Sequence, residues 1–353
     1  MDSSASPHAA PRDHDPSDRR PAMVEASSPV RICDLGGWTD TWFGGPGRVL
    51  NLAVTPGVEV RITTRSGGGG RVFLQVASSG ERYQVTPGES RDRRHPLIEA
   101  AIDAVPPPVG FDLDMSVGAG VPPGSGCGTS AAVAVAVLGA LLEVSGSHWE
   151  PFDVARMAHR LETVVLGGES GVQDQVSSAF GGINYLEIDP FPEATVTTLE
   201  PWPDLEARLS LVFVGRSHDS SAIHRHVIDH PTPQRAEALD TLRTAAVAAR
   251  DSVSTRDMAG FAAAMILNTG GQIALHPDLV GGDARRVIEA ARRNGAAGWK
   301  VNGAGGDGGS VTLLSPTVAI KARVDRAVAA ERADDKVSAV RISQVGLEVT
   351  VHR

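Results

Sequence analysis

Residues 131–144, AAVAVAVLGALLEV, run almost without charge and predict a core helix of about four turns, too short and too small-residued to cross a bilayer. The stretches around it alternate instead. Residues 58–64 and 71–76 read as strands joined through Gly67–Gly70 in a hairpin-type connection, residues 96–104 as a helix, and residues 110–117 as a strand feeding the central run. Upstream, SPVRICDLGGWTDTWFGGPGRVLNLAV predicts a short strand, a polar loop broken by glycine, and a second strand starting near Arg48. Downstream, residues 151–166 carry a helical pattern that ends at Gly167 and Gly168, and a loop reading ESGVQDQVSSAFGGINYLEI follows.

Pro201 and Pro203, set among acidic residues, mark a domain boundary. Beyond it the pattern predicts a strand over 208–214, a helix capped by Ser220 or Ser221, and helices over 233–252, 257–272 and 283–294. Strands over 299–301 and 310–314, a helix over 316–333 and a strand over 337–342 complete it. Helices and antiparallel-looking strands in this order suit an α+β fold. Residues 1–28 are rich in Ser, Pro, Asp, Arg and Ala without an apolar core, which predicts a disordered tail and no signal peptide. The expected organisation is therefore a tail over 1–28 and two domains over 29–206 and 207–353.

Composition narrows the partners. With 353 residues and 41% hydrophobic content the chain can bury a large core. A net charge of -9 argues against a nucleic-acid surface, which needs a basic face to displace counterions, and no stretch reads as a membrane span. Small-molecule partners are expected; the sequence leaves the oligomeric state open. The two cysteines, Cys33 and Cys127, give no disulfide framework and fit a reducing cytoplasm.

Candidate chemistry gathers at glycine-broken loops. In PPGSGCGTS, Pro122 to Ser130, the glycines Gly124, Gly126 and Gly128 allow close backbone approach to a ligand, and Thr129 and Ser130 occupy the place of a helix N-cap. A helix opening on such a turn aims unpaired N–H groups at an anion. No lysine precedes Thr129, so this is not a P-loop, and VNGAGGDGG leads into a strand, which excludes a dinucleotide fingerprint. Arg31, Asp34, Gly37, Trp38, Thr39 and Asp40 crowd a second loop, and loops of that density hold ligands. Glu162 and Asp174 tie two carboxylates to one helix end and the loop after it. One suits Mg²⁺ and the other suits a hydroxyl proton. Ser220, Ser221, His224 and Arg225 form a second candidate anion site. His226 and His230 have metal-ligand spacing, but no third ligand stands at a fitting distance in sequence, so a solvated helix face is the favoured reading.

The stretches SPVRICDLGGWTD, PPGSGCGTSAA and KVNGAGGDGGSVTLL, in this order, together resemble the GHMP kinase superfamily over nearly everything after the tail. The resemblance implies a ribosomal-protein-S5-like N-terminal domain and a ferredoxin-like C-terminal domain, with ATP and a sugar bound between them. It implies ATP contacts at Pro123, Gly124, Ser125, Gly126, Cys127, Gly128, Thr129 and Ser130, braced by Gly303, Ala304, Gly305 and Gly306. It further implies Mg²⁺ held by Ser130 and Glu162, Asp174 as catalytic aspartate beside Arg31, and sugar contacts at Gly37, Trp38, Thr39, Asp40 and Gln173; the separate anion cluster, with Ser221 and Arg225, is placed to receive a distal phosphate of such a sugar. GGWTDT is similar to the fucokinase motif, and GVQDQVSSAFGGINYLEI to D-glycero-D-manno-heptose 7-phosphate kinase. The expected activity is phosphorylation of an anomeric hydroxyl, with the heptose 7-phosphate favoured, an L-fucokinase-like or other hexose 1-kinase as the alternative, and an inactive sugar or nucleotide sensor as the reading from another class. Asp307 departs from the family pattern by putting an acid inside the third loop.

Overall fold

The computed structural model describes residues 22–89, 93–215 and 220–352. Its strands are β1 (Met23–Leu35), β2 (Gly47–Ser66), β3 (Val72–Val76), β4 (Glu81–Val85), β5 (Phe111–Ala119), β6 (Ile183–Ile188), β7 (Ala194–Leu199), β8 (Leu209–Phe213), β9 (Gly298–Val301), β10 (Ser310–Leu314), β11 (Lys336–Ala339), β12 (Arg341–Ile342) and β13 (Glu348–His352). The helices are α1 (Pro96–Ala104), α2 (Thr129–Ser145), α3 (Pro151–Arg160), α4 (Gln173–Phe180), α5 (Pro203–Glu206), α6 (Ser220–Asp229), α7 (Arg235–Thr255), α8 (Met258–Leu275), α9 (Gly282–Arg293) and α10 (Val318–Glu331).

Among the described residues, one sheet follows the order β13-β1-β2-β5-β3-β4, with β6, β7 and β12 joined through β2. β2 runs antiparallel to β1, while its other edge pairs first with β6 and then with β5. α1 to α4 pack over this sheet, and α2 is sealed because its small side chains let the helix lie close to β1 and β2; Ala132, Val135 and Leu138 are fully buried. The second sheet, β11-β8-β10-β9, is antiparallel, and its Val212 and Val311 share a buried cluster with Val287 of α9 and Val324 and Val328 of α10. The α7–α8 pair links the two sheets, α7 touching β2 and α8 touching β9.

Several expectations are corrected. Residues 23–28 are strand, not tail, because Val24 and Ala26 alternate into the core while β1 pairs with β2 and β13. Gly67–Gly70 makes no hairpin, since β5 lies between β2 and β3; the Gly67 and Gly68 N–H groups donate to Gly110 O, and Asp112 accepts from Gly69 and Arg71. The strand expected over 337–342 splits, with β11 in the second sheet and β12 crossing back to β2, so the chain end closes the first domain. The stretch 173–180, read as loop, is helix α4. By length and apolarity α8 could cross a membrane, yet half of it is buried, and Thr269 and Gln272 donate to Trp299 O and Val301 O. Replacing Leu138, fully buried on α2, with alanine is expected to lower unfolding free energy by about 2–5 kcal/mol, measured by urea denaturation; a change under ~0.5 kcal/mol would mean α2 is not a core helix.

Candidate active site

The loops after β1, before α2 and between β9 and β10 meet around a cavity of about 490 Å³. The loop before α2 is built for an anion. Gly128, at φ +66°, is the N-cap, so neither Thr129 nor Ser130 caps the helix, and the cap position offers no side-chain hydrogen bond. The loop's carbonyls are already occupied from outside. Arg31 N–H donates to Cys127 O at 2.9 Å, the Arg31 guanidinium to Gly126 O, and Ser310 Oγ to Ser125 O at 2.7 Å. The polarity left over is of the donor kind, which suits phosphate oxygens. A Cβ at Gly128 would lie 3.0 Å from Asp174 Oδ2 and 3.3 Å from Arg31 Cγ, in a backbone conformation that side chains disfavour.

Arg31 also grips Asp174 with both ends of its fork, Nε to Oδ1 at 2.7 Å and Nη2 to Oδ2 at 3.0 Å. Burial works against the arginine's charge, but Asp174 and Asp34 outweigh it and hold its pKa above the ordinary value. Asp174 sits in the first turn of α4, where the helix dipole favours a carboxylate. Glu162 lies in a single π-helical turn, Leu161–Val165, that ends α3. It accepts from Ser130 Oγ at 3.2 Å and Gln175 Nε2 at 2.8 Å. Burial, then the charge of Asp174, raises its pKa.

Asp40, buried at the other end of the cavity, accepts from Gln173 N–H at 3.2 Å. Burial, reinforced by Asp174, pushes its carboxyl up to about 7. Beneath this floor Lys300 Nζ meets Asp34 Oδ1 at 3.2 Å, both fully buried, and the same oxygen accepts from Gly303 N–H at 3.1 Å. Burial lowers the lysine's pKa and Asp34 opposes it.

Arg31, Trp38, Asp40, Gly124 to Ser130, Glu162, Gln173, Asp174, Gly303 and Ala304 all line the cavity. Pro123, Gly37, Gly305 and Gly306 stand off it. Thr39, expected to hold the ligand, is buried and spent on backbone, donating to Gly36 O at 2.7 Å and accepting from Arg48 N–H at 3.0 Å; Thr41 lines the cavity instead. Arg225 is exposed and away from the cavity, while His224 of the same helix enters it. The Ser221 side chain lies outside the described residues. Asp307 does not face the cavity; it accepts from Gly282 N–H at 3.2 Å at the start of α9. Sequence reasoning passed over Glu169, Ser170 and Gly171 on the cavity wall and Lys300 beneath it. Trp38, at φ +81°, packs 4.6 Å from the His224 ring, and His224 Nδ1 donates to Glu169 O at 2.9 Å.

Two outcomes follow from these charges. Lys300→Met leaves Asp34 buried without its cation and is expected to cost about 3–5 kcal/mol in denaturation, most of it recovered in Asp34→Asn/Lys300→Met; additive losses would contradict the pairing. Asp40 has a raised folded pKa, so its contribution favours folding in acid and is lost as pH rises from about 3.8 through about 7. Asp40→Asn is expected to flatten the stability profile across that window, and an unaltered profile would show that Asp40 is not buried as described.

Comparison with known proteins bears on this geometry. Residues 96–182 match the family model for the GHMP kinases N terminal domain. The chain is 26% identical to D-glycero-alpha-D-manno-heptose 7-phosphate kinase of Campylobacter jejuni over 83% of its own length and 90% of that protein, and 28% identical to mevalonate kinase of Pyrococcus horikoshii over 62% and 64%. Its fold matches a D-glycero-D-manno-heptose 1-phosphate kinase from Bacteriodes thetaiotaomicron with a TM-score of 0.72 at 21% identity, covering 93% of this chain and 98% of that one. Residues 96–182 thus carry a GHMP kinase N-terminal domain within a two-domain α+β fold like that of the solved kinases, and the chain is a phosphotransferase with an alcohol acceptor.

Proposed function

We propose that this chain is an ATP-dependent sugar kinase acting on the anomeric hydroxyl, and that its acceptor is D-glycero-D-manno-heptose 7-phosphate, giving the 1,7-bisphosphate. One observation carries the kinase chemistry: Asp174, held by both ends of the Arg31 fork, shares a cavity with the donor-rich loop at Gly124–Ser130. The heptose assignment leans on the relative from Campylobacter jejuni.

In this reading the loop amides bind the triphosphate and Asp40 and Gln173 orient the sugar's hydroxyls. Asp174 orients the anomeric hydroxyl and accepts its proton as the oxygen attacks the terminal phosphorus, while the bond to ADP breaks and ADP leaves with the electron pair. Arg31 keeps the carboxylate fixed, so the hydroxyl meets an acceptor that need not reorganise. Ser130 and Glu162 fit a Mg²⁺ ion, being hard oxygen donors 3.2 Å apart on the cavity wall, where burial and the charge of Asp174 disfavour an unaccompanied carboxylate. When bound, such an ion offsets phosphate charge.

A second reading, a hexose without a distal phosphate, is favoured by Arg225 standing away from the cavity; among the described lining residues Arg31 is the one Lys or Arg, and it is engaged. ADP release over a panel of heptose 7-phosphate, heptose and fucose separates the two. The heptose 7-phosphate is expected to exceed heptose in kcat/KM by about tenfold or more, and equal values would favour the second reading. Ser130→Ala and Asp174→Asn are each expected to lower kcat by about two orders of magnitude with the fold retained by circular dichroism; wild-type turnover in either would overturn the mechanism.

A further inference from the structure

Outside the cavity, the fold supplies what the sequence spacing lacked. His226 on α6 comes together with His276, the residue closing α8, and Asp278 in the short 3-10 turn Pro277–Leu279, and one donor atom from each lies within 4.8 Å of the others. His226 Nε2 is 3.4 Å from Asp278 Oδ2, and His276 Nδ1 is 3.8 Å from the same oxygen. The His226 ring stands 4.7 Å from the ring of His276 and 4.7 Å from that of His230, one turn along α6. A helix face that presented two imidazoles alone now has a third imidazole and a carboxylate opposite it.

The tautomers suit ligation. His230 Nδ1 donates to His226 O at 2.9 Å, which leaves its Nε2 lone pair free, and a backbone carbonyl behind a ring N–H is the usual support of a metal-bound imidazole. His276 Nδ1 accepts from Asp278 N–H at a long 3.3 Å, a weak bond that an ion would have to displace or leave to ligation through Nε2. Protonated, three close imidazoles would repel; around one cation they do not. Mixed imidazole and carboxylate donors select a borderline metal over Mg²⁺ or Ca²⁺, which want oxygen throughout.

We propose that His226, His276 and Asp278 form a site for a divalent transition metal of the zinc class, with His230 as the further ligand, and that the ion fastens α6 to the Pro277–Leu279 turn. The fastening bears on the cavity. His224 lies two residues before His226 on α6, packed on Trp38, and Leu279 O accepts from Gly306 N–H at 3.0 Å, so the turn also braces the third glycine loop.

The test uses the full chain, without a polyhistidine tag and stripped with EDTA, titrated with zinc sulfate by calorimetry and with cobalt(II) by visible absorption. About one equivalent is expected to bind, with cobalt d–d bands of four-coordinate intensity, and hydrogen exchange in α6 is expected to slow on zinc addition. His226→Gln and Asp278→Asn, both exposed and expected to fold, should each weaken binding by about tenfold or more, and acidification to about pH 5 should release the ion. Absence of stoichiometric binding, an unaltered affinity in both variants, or unaltered exchange in α6 would overturn the proposal.

Discussion

One guanidinium joins the parts of this site. Arg31 leaves β1 and spends its backbone N–H on Cys127 O, one nitrogen on Gly126 O and the rest of its fork on both oxygens of Asp174. The strand, the glycine loop before α2 and the Asp174 carboxylate are thus fixed to one planar group. Lysine could not substitute, since a point charge on a flexible stem cannot hold two directions at once. Glycine suits position 128 because its φ of +66° strains any side-chain-bearing residue, and a Cβ there would also crowd this pair at 3.0–3.3 Å.

A second buried pair extends the fastening to the other domain. Lys300 on β9 and Asp34 on β1 are wholly removed from solvent, and Asp34 also receives Gly303 N–H from the third loop. Asn302 adds a neutral stitch, accepting from Cys33 N–H at 2.9 Å and from Thr312 Oγ1 at 2.9 Å. Burying these charges costs desolvation that an apolar pair would avoid, so they are better understood as devices of geometry than of stability. They hold one domain's glycine loop against the other's while the cavity between them stays open to a ligand.

Much of this was legible in the sequence, and the gaps have physical causes. The small-residue run of α2 and its glycine loop could be read because both the apolar pattern and the turn chemistry are local. The cap was misplaced onto Thr129 and Ser130 because a left-handed Gly128 ends the loop without needing a side chain. Helix α4 was hidden by its composition: QDQVSSAF is polar, yet Gln175, Ser177 and Ser178 are buried by packing that only the tertiary structure supplies. Thr39 and Thr41 look alike in sequence, and only the bonds of Thr39 to Gly36 and Arg48 decide which of them faces the cavity. Lys300 read as an ordinary strand residue because its partner lies 266 positions away. His276 and Asp278 were invisible beside His226 and His230 for the same reason.

The most direct test is a crystal structure with a non-hydrolysable ATP analogue and an acceptor sugar bound together. The account predicts triphosphate oxygens within hydrogen-bond distance of backbone N–H groups between Gly124 and Ser130, with the acceptor oxygen between the terminal phosphorus and Asp174. Phosphates held instead by lysine or arginine side chains away from that loop, or an acceptor oxygen out of reach of Asp174, would contradict it.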